Sequence, residues 1–408
     1  MTNNNKKYTP ELRFLECTEN WIEKKLGEIT TNEDNKRRPI SKILRKKGKY
    51  PYFGANGIQD YVSDYIFDGE YLLVGEDGSV LTKENTPVIN WASGRFWVNN
   101  HAHVLSQKNG ISLKLISYIL STIKIEGRVT GIPPKLNQDN LYTILIPIPS
   151  SSMEQKKIAD CLSSLDTYID TTKRKLELLK EYKKGLMQQL FPAPGKNIPE
   201  LRFPEFRKAS AWGYQALGAM GDTYGGLSGK SAEDFGYGKP YVTYKQVFSS
   251  LEIDFSHCLQ VRITTNEKQN KLQYGDILVT MSSETPEEVG YTAVVATKDI
   301  PECYLNSFCF IYRLFEEQDV DINFLIYLFN SDVYRKNVVR IAQGITRFNI
   351  SKTKFKEIAL PIPNSKDEQR KIAKVLSSVD YQLTYYTKKI HSLELHKKGL
   401  MQRLFPQL

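Results

Sequence analysis

Apolar residues recur at alternating steps of four and three over two long stretches of this chain. From Ile158 the series runs Leu162, Leu165, Ile169, Thr172, Leu176, Leu179, Lys183, Leu186 and Leu190. From Ile372 it runs Leu376, Val379, Leu383, Tyr386, Ile390, Leu393, Lys397, Leu400 and Leu404. Sustained 4-3 spacing marks the stripe that one helix presents to another in a coiled coil. The flanking positions are rich in Lys and Glu, and no proline intervenes before Pro192 or Pro406. Each stretch predicts a helix of about 39 residues and about 58 Å. A helix of that length needs a partner to bury its stripe, and the economical partner is the other copy. Antiparallel pairing would relate the two halves of the chain by a pseudo-twofold axis.

The two stretches are also copies in sequence. Residues 154–192 return at 368–406 with a constant offset of 214, and 20 of the 39 positions are identical. Lys183-Lys184-Gly185-Leu186-Met187-Gln188 matches Lys397-Lys398-Gly399-Leu400-Met401-Gln402 at every residue. Packing constrains only about two positions in seven. A repeated outer surface is therefore expected to dock a partner twice, with Lys183, Leu186, Met187, Lys397, Leu400 and Met401 as the candidate residues. Recent duplication is the competing explanation.

Shorter repeats frame the remainder. Pro10-Glu11-Leu12-Arg13-Phe14 returns at Pro199-Glu200-Leu201-Arg202-Phe203, and each copy is followed by Trp-x4-Leu-Gly, at Trp21 and Trp212. Ile146-Pro147-Ile148-Pro149 and Leu360-Pro361-Ile362-Pro363 close the two intervening regions. Those regions scarcely resemble each other and differ in length. The chain thus reads as domains at 1–150 and 195–364 with helices at 151–194 and 365–408. Tyr71–Val74, Pro87–Asn90, Phe96–Val98, Asp276–Thr280 and Thr292–Ala296 read as strands, the first three separated by Gly-rich turns. Ser112–Ser121 and Asp321–Phe329 read as short helices. The fold class is α/β (α+β): two globular domains joined by two long antiparallel coiled-coil helices.

Charge narrows the partner. The net charge of +10 favours a polyanion. An ordinary apolar fraction of 40% and the lack of a membrane-length apolar run argue against a membrane protein. Residues 1–14 lack the apolar core of a signal peptide. Five scattered cysteines without a CxxC pair suit reduced thiols, a cytoplasmic setting and no zinc knuckle.

Catalytic signatures are missing. There is no Asn-Pro-Pro-aromatic or Asp-Pro-Pro-aromatic element, and Pro133-Pro134 is followed by Lys135. Gly225–Ser231 resembles a phosphate loop, but Tyr224 stands where the spacing needs Gly. It is expected to be a flexible loop near DNA. His101 and His103 alternate on a predicted strand with no further metal ligand evident nearby, so a hydrogen-bonding role is expected. The densest basic cluster includes Arg37, Arg38, Arg45 and Lys46. Such cations bind phosphates through counterion release. Base reading calls for Arg, Asn or Gln. The segments before the two Pro-rich closures supply these types, giving Arg128, Lys135, Asn137, Arg347, Asn349 and Lys352 as candidates, together with Lys230 and Lys245. Solvated surface, turn and helix-start residues remain the ordinary alternative for all of them.

This arrangement resembles the specificity subunit of type I restriction-modification systems over essentially the whole chain. Its carriers are the paired EQxKIAxxLSSxD…KKGLMQxLFP helices and the paired Pro-rich closures. They are joined by Gly69–Gly78, Asn99–Leu105 and Gly344–Ile350. The resemblance implies two target-recognition domains, each reading half of a bipartite double-stranded DNA site, on helices that fix the gap. Successive major grooves on one face of a duplex lie about 34–36 Å apart, which helices about 58 Å long can span. It further implies one copy per complex, two docked methylation subunits, and restriction subunits held through them. S-adenosylmethionine, ATP and Mg2+ would then belong to those partners and none to this chain. A stand-alone DNA-binding regulator or coiled-coil adaptor is the competing class.

Overall fold

The computed structural model describes residues 9–406, so the polar opening segment 1–8 lies outside it. The two long helices are Ser152–Leu190 and Lys366–Leu404, each of 39 residues. Contacts divide the chain into two units, one comprising the chain up to Arg174 and from Thr387 onward, the other Lys175–Tyr386. The division cuts both helices, so each unit holds the start of one and the end of the other.

Within each unit the helix segments run antiparallel. In the first, Asp166 meets Lys397 at 2.5 Å and Lys173 meets Glu394 at 2.6 Å, so one helix rises as the other descends. In the second, Lys183 meets Asp380 at 2.5 Å and Lys175 lies 4.8 Å from the centre of the Tyr386 ring. The 4-3 stripe is the buried one. Ile158, Ala159 and Leu162 join Leu404 and Phe405 in the first core. Leu186 and Leu190 join Ile372, Leu376 and Val379 in the second. Each of these Leu, Ile, Val and Phe side chains contributes about 1.5–3 kcal/mol on burial.

The first unit also holds a six-stranded sheet, in the order Thr30–Asn32, Ala102–Gln107, Phe67–Gly75, Ile89–Val98, Lys47–Gly54, Gly57–Val62. The strands expected at Pro87–Asn90 and Phe96–Val98 are one continuous strand, Ile89–Val98. Gly94 lies opposite Gly69 in the register, and both take positive φ (72° and 133°). Two facing glycines let the ladder pass through what reads as a turn. The helix Leu113–Leu120, capped by Ser112, is driven onto the core by Leu115, Ile116 and Ile119.

The second unit is built on a four-stranded antiparallel sheet, ordered Gly221–Gly225, Cys309–Leu314, Ile277–Thr280, Thr292–Val294. A three-stranded sheet of Leu259–Val261, Phe235–Val242 and Tyr304–Leu305 accompanies it. The helix Ile322–Leu328, capped by Asp321, falls where expected. Thr292–Val294 ends two residues before the expected strand does.

The short repeats prove to be a duplicated clasp. Trp21–Lys25 pairs with Leu145–Pro149, and Gly213–Ala216 pairs with Ala359–Ile362, so each domain's first and last strands close together. Arg13 grips Glu154 in two bonds of 2.8 and 2.6 Å, and Arg202 grips Glu368 in two of 2.7 Å. Trp21 and Trp212 donate their indole N–H to the same two carboxylates at 3.3 and 3.2 Å. Both glutamates are 1% exposed and sit in a helix first turn, where the helix dipole favours an anion. The adjacent Gln155 and Gln369 donate to the carbonyls of Pro149 and Pro363 at 2.8 and 2.9 Å. The Pro-Glu-Leu-Arg-Phe tag, the Pro-rich strand and the helix start are thereby locked into one joint in each unit.

Candidate nucleic-acid interface

Each unit carries a small hairpin just before its Pro-rich strand. In the first, Thr130 and Lys135 exchange backbone hydrogen bonds of 2.9 and 2.7 Å around Gly131–Pro134. The hairpin is fastened beyond the end of Phe67–Gly75, by Gly78 N–H to Pro134 O at 3.0 Å and Leu136 N–H to Glu76 O at 2.8 Å. In the second, Gln343 and Asn349 exchange bonds of 2.9 and 2.8 Å around Gly344–Phe348. It is fastened beyond Ile277–Thr280, where Asn349 pairs with Ser282 and Ile350 N–H donates to Met281 O at 3.1 Å. Two domains of unlike sequence thus present the same device at the same station.

The candidate cations separate into committed and available groups. Arg37 is mostly buried, 2.5 Å from Glu76 and 3.3 Å from Asp34, and also donates to Ala102 O. Lys230 has a side chain only 5% exposed, paired with Glu267 and the carbonyl of Arg262. That ammonium holds the Glu267 carboxyl down to about 2. A phosphate-loop lysine would point at its ligand, whereas Lys230 is spent on an internal partner. Arg45 stacks 4.1 Å from the Tyr52 ring centre and donates to Ile40 O. Asn137 caps the helix Gln138–Tyr142 by accepting from Asn140 N–H at 2.8 Å.

Arg38, Lys46, Lys245 and Arg347 are exposed. Lys135 is half exposed beside Glu76 at 3.3 Å. Arg128 is partly exposed and bonds Thr143 Oγ1 at 2.8 Å. Asn349 is exposed with its amide toward Arg347 O, and partly exposed Lys352 opens the helix Lys352–Lys356. Arg347 lines a cleft of about 430 Å³ with Tyr244, Phe248, Phe308, Ser282, Ser283, Glu284 and Glu288. Aromatic faces, hydroxyls and carboxylates beside one guanidinium can discriminate base edges as well as hold a phosphate. Tyr244, Phe248 and Phe308 escaped sequence reading because scattered aromatics carry no spacing signal.

His103 is structural. Its Nε2 donates to Leu136 O at 2.8 Å and its Nδ1 faces Asp34 at 2.6 Å. Asp34, Glu76 and His103 lie close enough to suggest a metal site, but the Arg37 guanidinium already supplies the cation between the two carboxylates. Burial pushes the Asp34 carboxyl up. The hydrogen bonds from His103, Asn32 and the Val104 backbone outweigh it and hold the group below the usual range. His101 contacts Asp77.

The repeated Lys-Lys-Gly-Leu-Met-Gln faces each border a notch inside their own unit. Lys183, Lys184, Met187 and Gln188 face Leu251, Tyr327, Asn330 and Asp332 across about 320 Å³. Lys397, Lys398, Met401 and Gln402 face Thr86, Ser121, Thr122 and Lys124 across about 410 Å³. Leu186 points the other way, into the core, and Leu400 packs against it in its own unit. Gly185 and Gly399 stand where an added Cβ would meet nothing within 4 Å.

The family model described as the type I restriction modification DNA specificity domain matches residues 18–181 and again 212–395. The chain belongs to that family. It is a type I specificity subunit, and both matched regions take in a recognition domain and most of the helix that follows. The MjaVIII specificity subunit of Methanocaldococcus jannaschii is 26% identical, over 97% of this chain and 94% of that one. A Haemophilus influenzae protein named as a candidate type I specificity subunit is 38% identical over 145 residues, so this specificity subunit matches 37% of that relative's length. The S subunit structure from M. genitalium shares the fold, with TM-score 0.64 at 20% identity over 98% of this chain and 100% of that one. No helix among the described residues is long and apolar enough to cross a membrane.

Proposed function

We propose that this specificity subunit reads an asymmetric, interrupted DNA target. Each recognition domain takes one half-site, and the paired helices set the gap. The observation that carries this reading is a matching clasp and a comparable hairpin in two domains whose intervening sequences and sheets differ. Equivalent joints present non-equivalent readers, which suits two unlike half-sites. Exposed Arg38, Lys46, Lys135, Lys245 and Arg347, with part-exposed Lys352, supply phosphate contacts. The hairpins and the Tyr244–Phe308 cleft supply discrimination.

The subunit performs no chemistry in this account. The two Lys-Lys-Gly-Leu-Met-Gln faces recruit two methylation subunits, and restriction subunits join through these. S-adenosylmethionine, ATP and Mg2+ are used on those partners, in the cytoplasm. The helix-interior glycines support the docking reading. Each costs roughly 0.5–1 kcal/mol relative to alanine, and nothing among the described residues requires it. A partner helix approaching closely at that spot does. A stand-alone regulator would have no use for such a face twice over.

The test is genome-wide mapping of methylated bases with and without the gene. The reading expects one gapped motif with two unlike halves to vanish on deletion. An unchanged methylation pattern in a host that expresses the methylation subunit would refute it.

A further inference from the structure

The two hairpins share a feature that the charge argument leaves unused. Each tip opens on Gly-Ile, and both isoleucines are bare: Ile132 is 102% exposed and Ile345 is 96% exposed. Gly131 and Gly344 take positive φ, 83° and 142°, a backbone region that favours glycine. Single exposed apolar residues are ordinary. These two stand at the same station of two unlike domains, each next to the first residue of a bridged hairpin. One basic side chain accompanies each, Lys135 at the foot of one hairpin and Arg347 within the other.

The size of this feature points to its target. One isoleucine is far too little for a stable protein contact, which buries about 800 Å² per partner. On a duplex an apolar group of matching size exists, the C5-methyl of thymine in the major groove. The one cation beside each tip would hold a phosphate and seat the tip against the base edges.

We infer that Ile132 and Ile345 each read a thymine methyl group, one in each half-site. The inference rests on the DNA-reading function proposed above. Because neither side chain packs within its domain, alanine at either position leaves folding intact, and a DNA-side probe needs no variant at all.

The experiment uses the full chain in complex with its methylation subunits. Bound duplexes are selected from a randomised pool by wild type, Ile132→Ala and Ile345→Ala. The selected site is then resynthesised with deoxyuridine in place of each thymine in turn. Ile132→Ala should lose preference for thymine at one position of one half-site, and Ile345→Ala at one position of the other. Each variant should bind its thymine site about fourfold more weakly, as loss of one buried methyl contact implies. Deoxyuridine at that position should weaken wild type by the same factor and leave the matching variant unaffected. Variants that select the wild-type motif at wild-type strength would overturn the inference. So would an unchanged motif with methylation subunits lost on a sizing column, which would make the tips protein contacts. A wild-type complex that selects no motif would instead overturn the DNA-reading function itself.

Discussion

The Lys183 ammonium lies 2.5 Å from one oxygen of Asp380, and the Tyr327 hydroxyl donates to the other oxygen at 2.9 Å. The first unit repeats this with Lys397 and Asp166 at 2.5 Å and Tyr118 at 2.7 Å. One carboxylate thus ties a recognition-domain helix to both long helices. This is why a lysine occupies an otherwise apolar stripe at the same step of each copy. Both phenols are pushed well above their ordinary range, by burial first and by the neighbouring carboxylate second. Asp166→Asn and Asp380→Asn should each destabilise the chain by about 1–2 kcal/mol, at the lower end for charged hydrogen bonds because the groups are part-exposed. Chemical denaturation measures this. Loss confined to one of the two variants would show that the two triads are not equivalent.

The clasp should cost more to break. Arg202→Ala leaves Glu368 buried without its guanidinium, and Arg13→Ala does the same to Glu154. Removing one partner of a buried pair costs about 3–5 kcal/mol. Melting of each variant should fall well below wild type. Retention of wild-type stability would mean that the tag is dispensable.

Salt dependence of DNA binding should sort the basic residues. Lys46→Ala and Lys245→Ala should each lower the slope of log K against log salt by about 0.9, as loss of one phosphate contact requires. Arg37→Ala and Lys230→Ala should leave the slope alone and reduce stability, since both cations are bonded within the fold. Equal slope changes in all four would contradict this division.

Docking should follow the notch. Lys184→Glu with Lys398→Glu, at exposed positions on the rims of the two notches, should release methylation subunits on a sizing column while the chain stays folded. Leu186→Glu should damage the core itself, because that side chain is 8% exposed. Gly185→Ala with Gly399→Ala should raise the stability of the free chain by roughly 0.5–1 kcal/mol per site and weaken assembly. Tighter assembly would contradict close approach at the glycines.

Much of the scaffold was legible because helical stripes are a local, periodic signal. Ile158 to Leu190 and Ile372 to Leu404 could be assigned from spacing alone. The clasp was visible only as repeated letters. Arg13 and Glu154 are 141 residues apart, and no local rule says that a helix-start glutamate will be buried against a distant arginine. The usable signal was that tag, tryptophan and Glu-Gln recur together. The lysine within the stripe had a similar clue in the repeated aspartates at 166 and 380. The strand through Gly94 was misread because a glycine marks a turn unless another glycine faces it. Individual cations were least legible. Charge in a sequence does not distinguish Arg37, enclosed by Asp34 and Glu76, from Lys46 on the surface.

The central claim is that two unlike readers occupy equivalent stations on one scaffold. It is tested most directly by replacing residues 212–363 with a second copy of residues 21–149 and mapping the methylated motif of the resulting complex. The account predicts a palindromic target, with the first half-site present on both sides of an unchanged gap. A motif that remains asymmetric, or that keeps the second half-site, would contradict it.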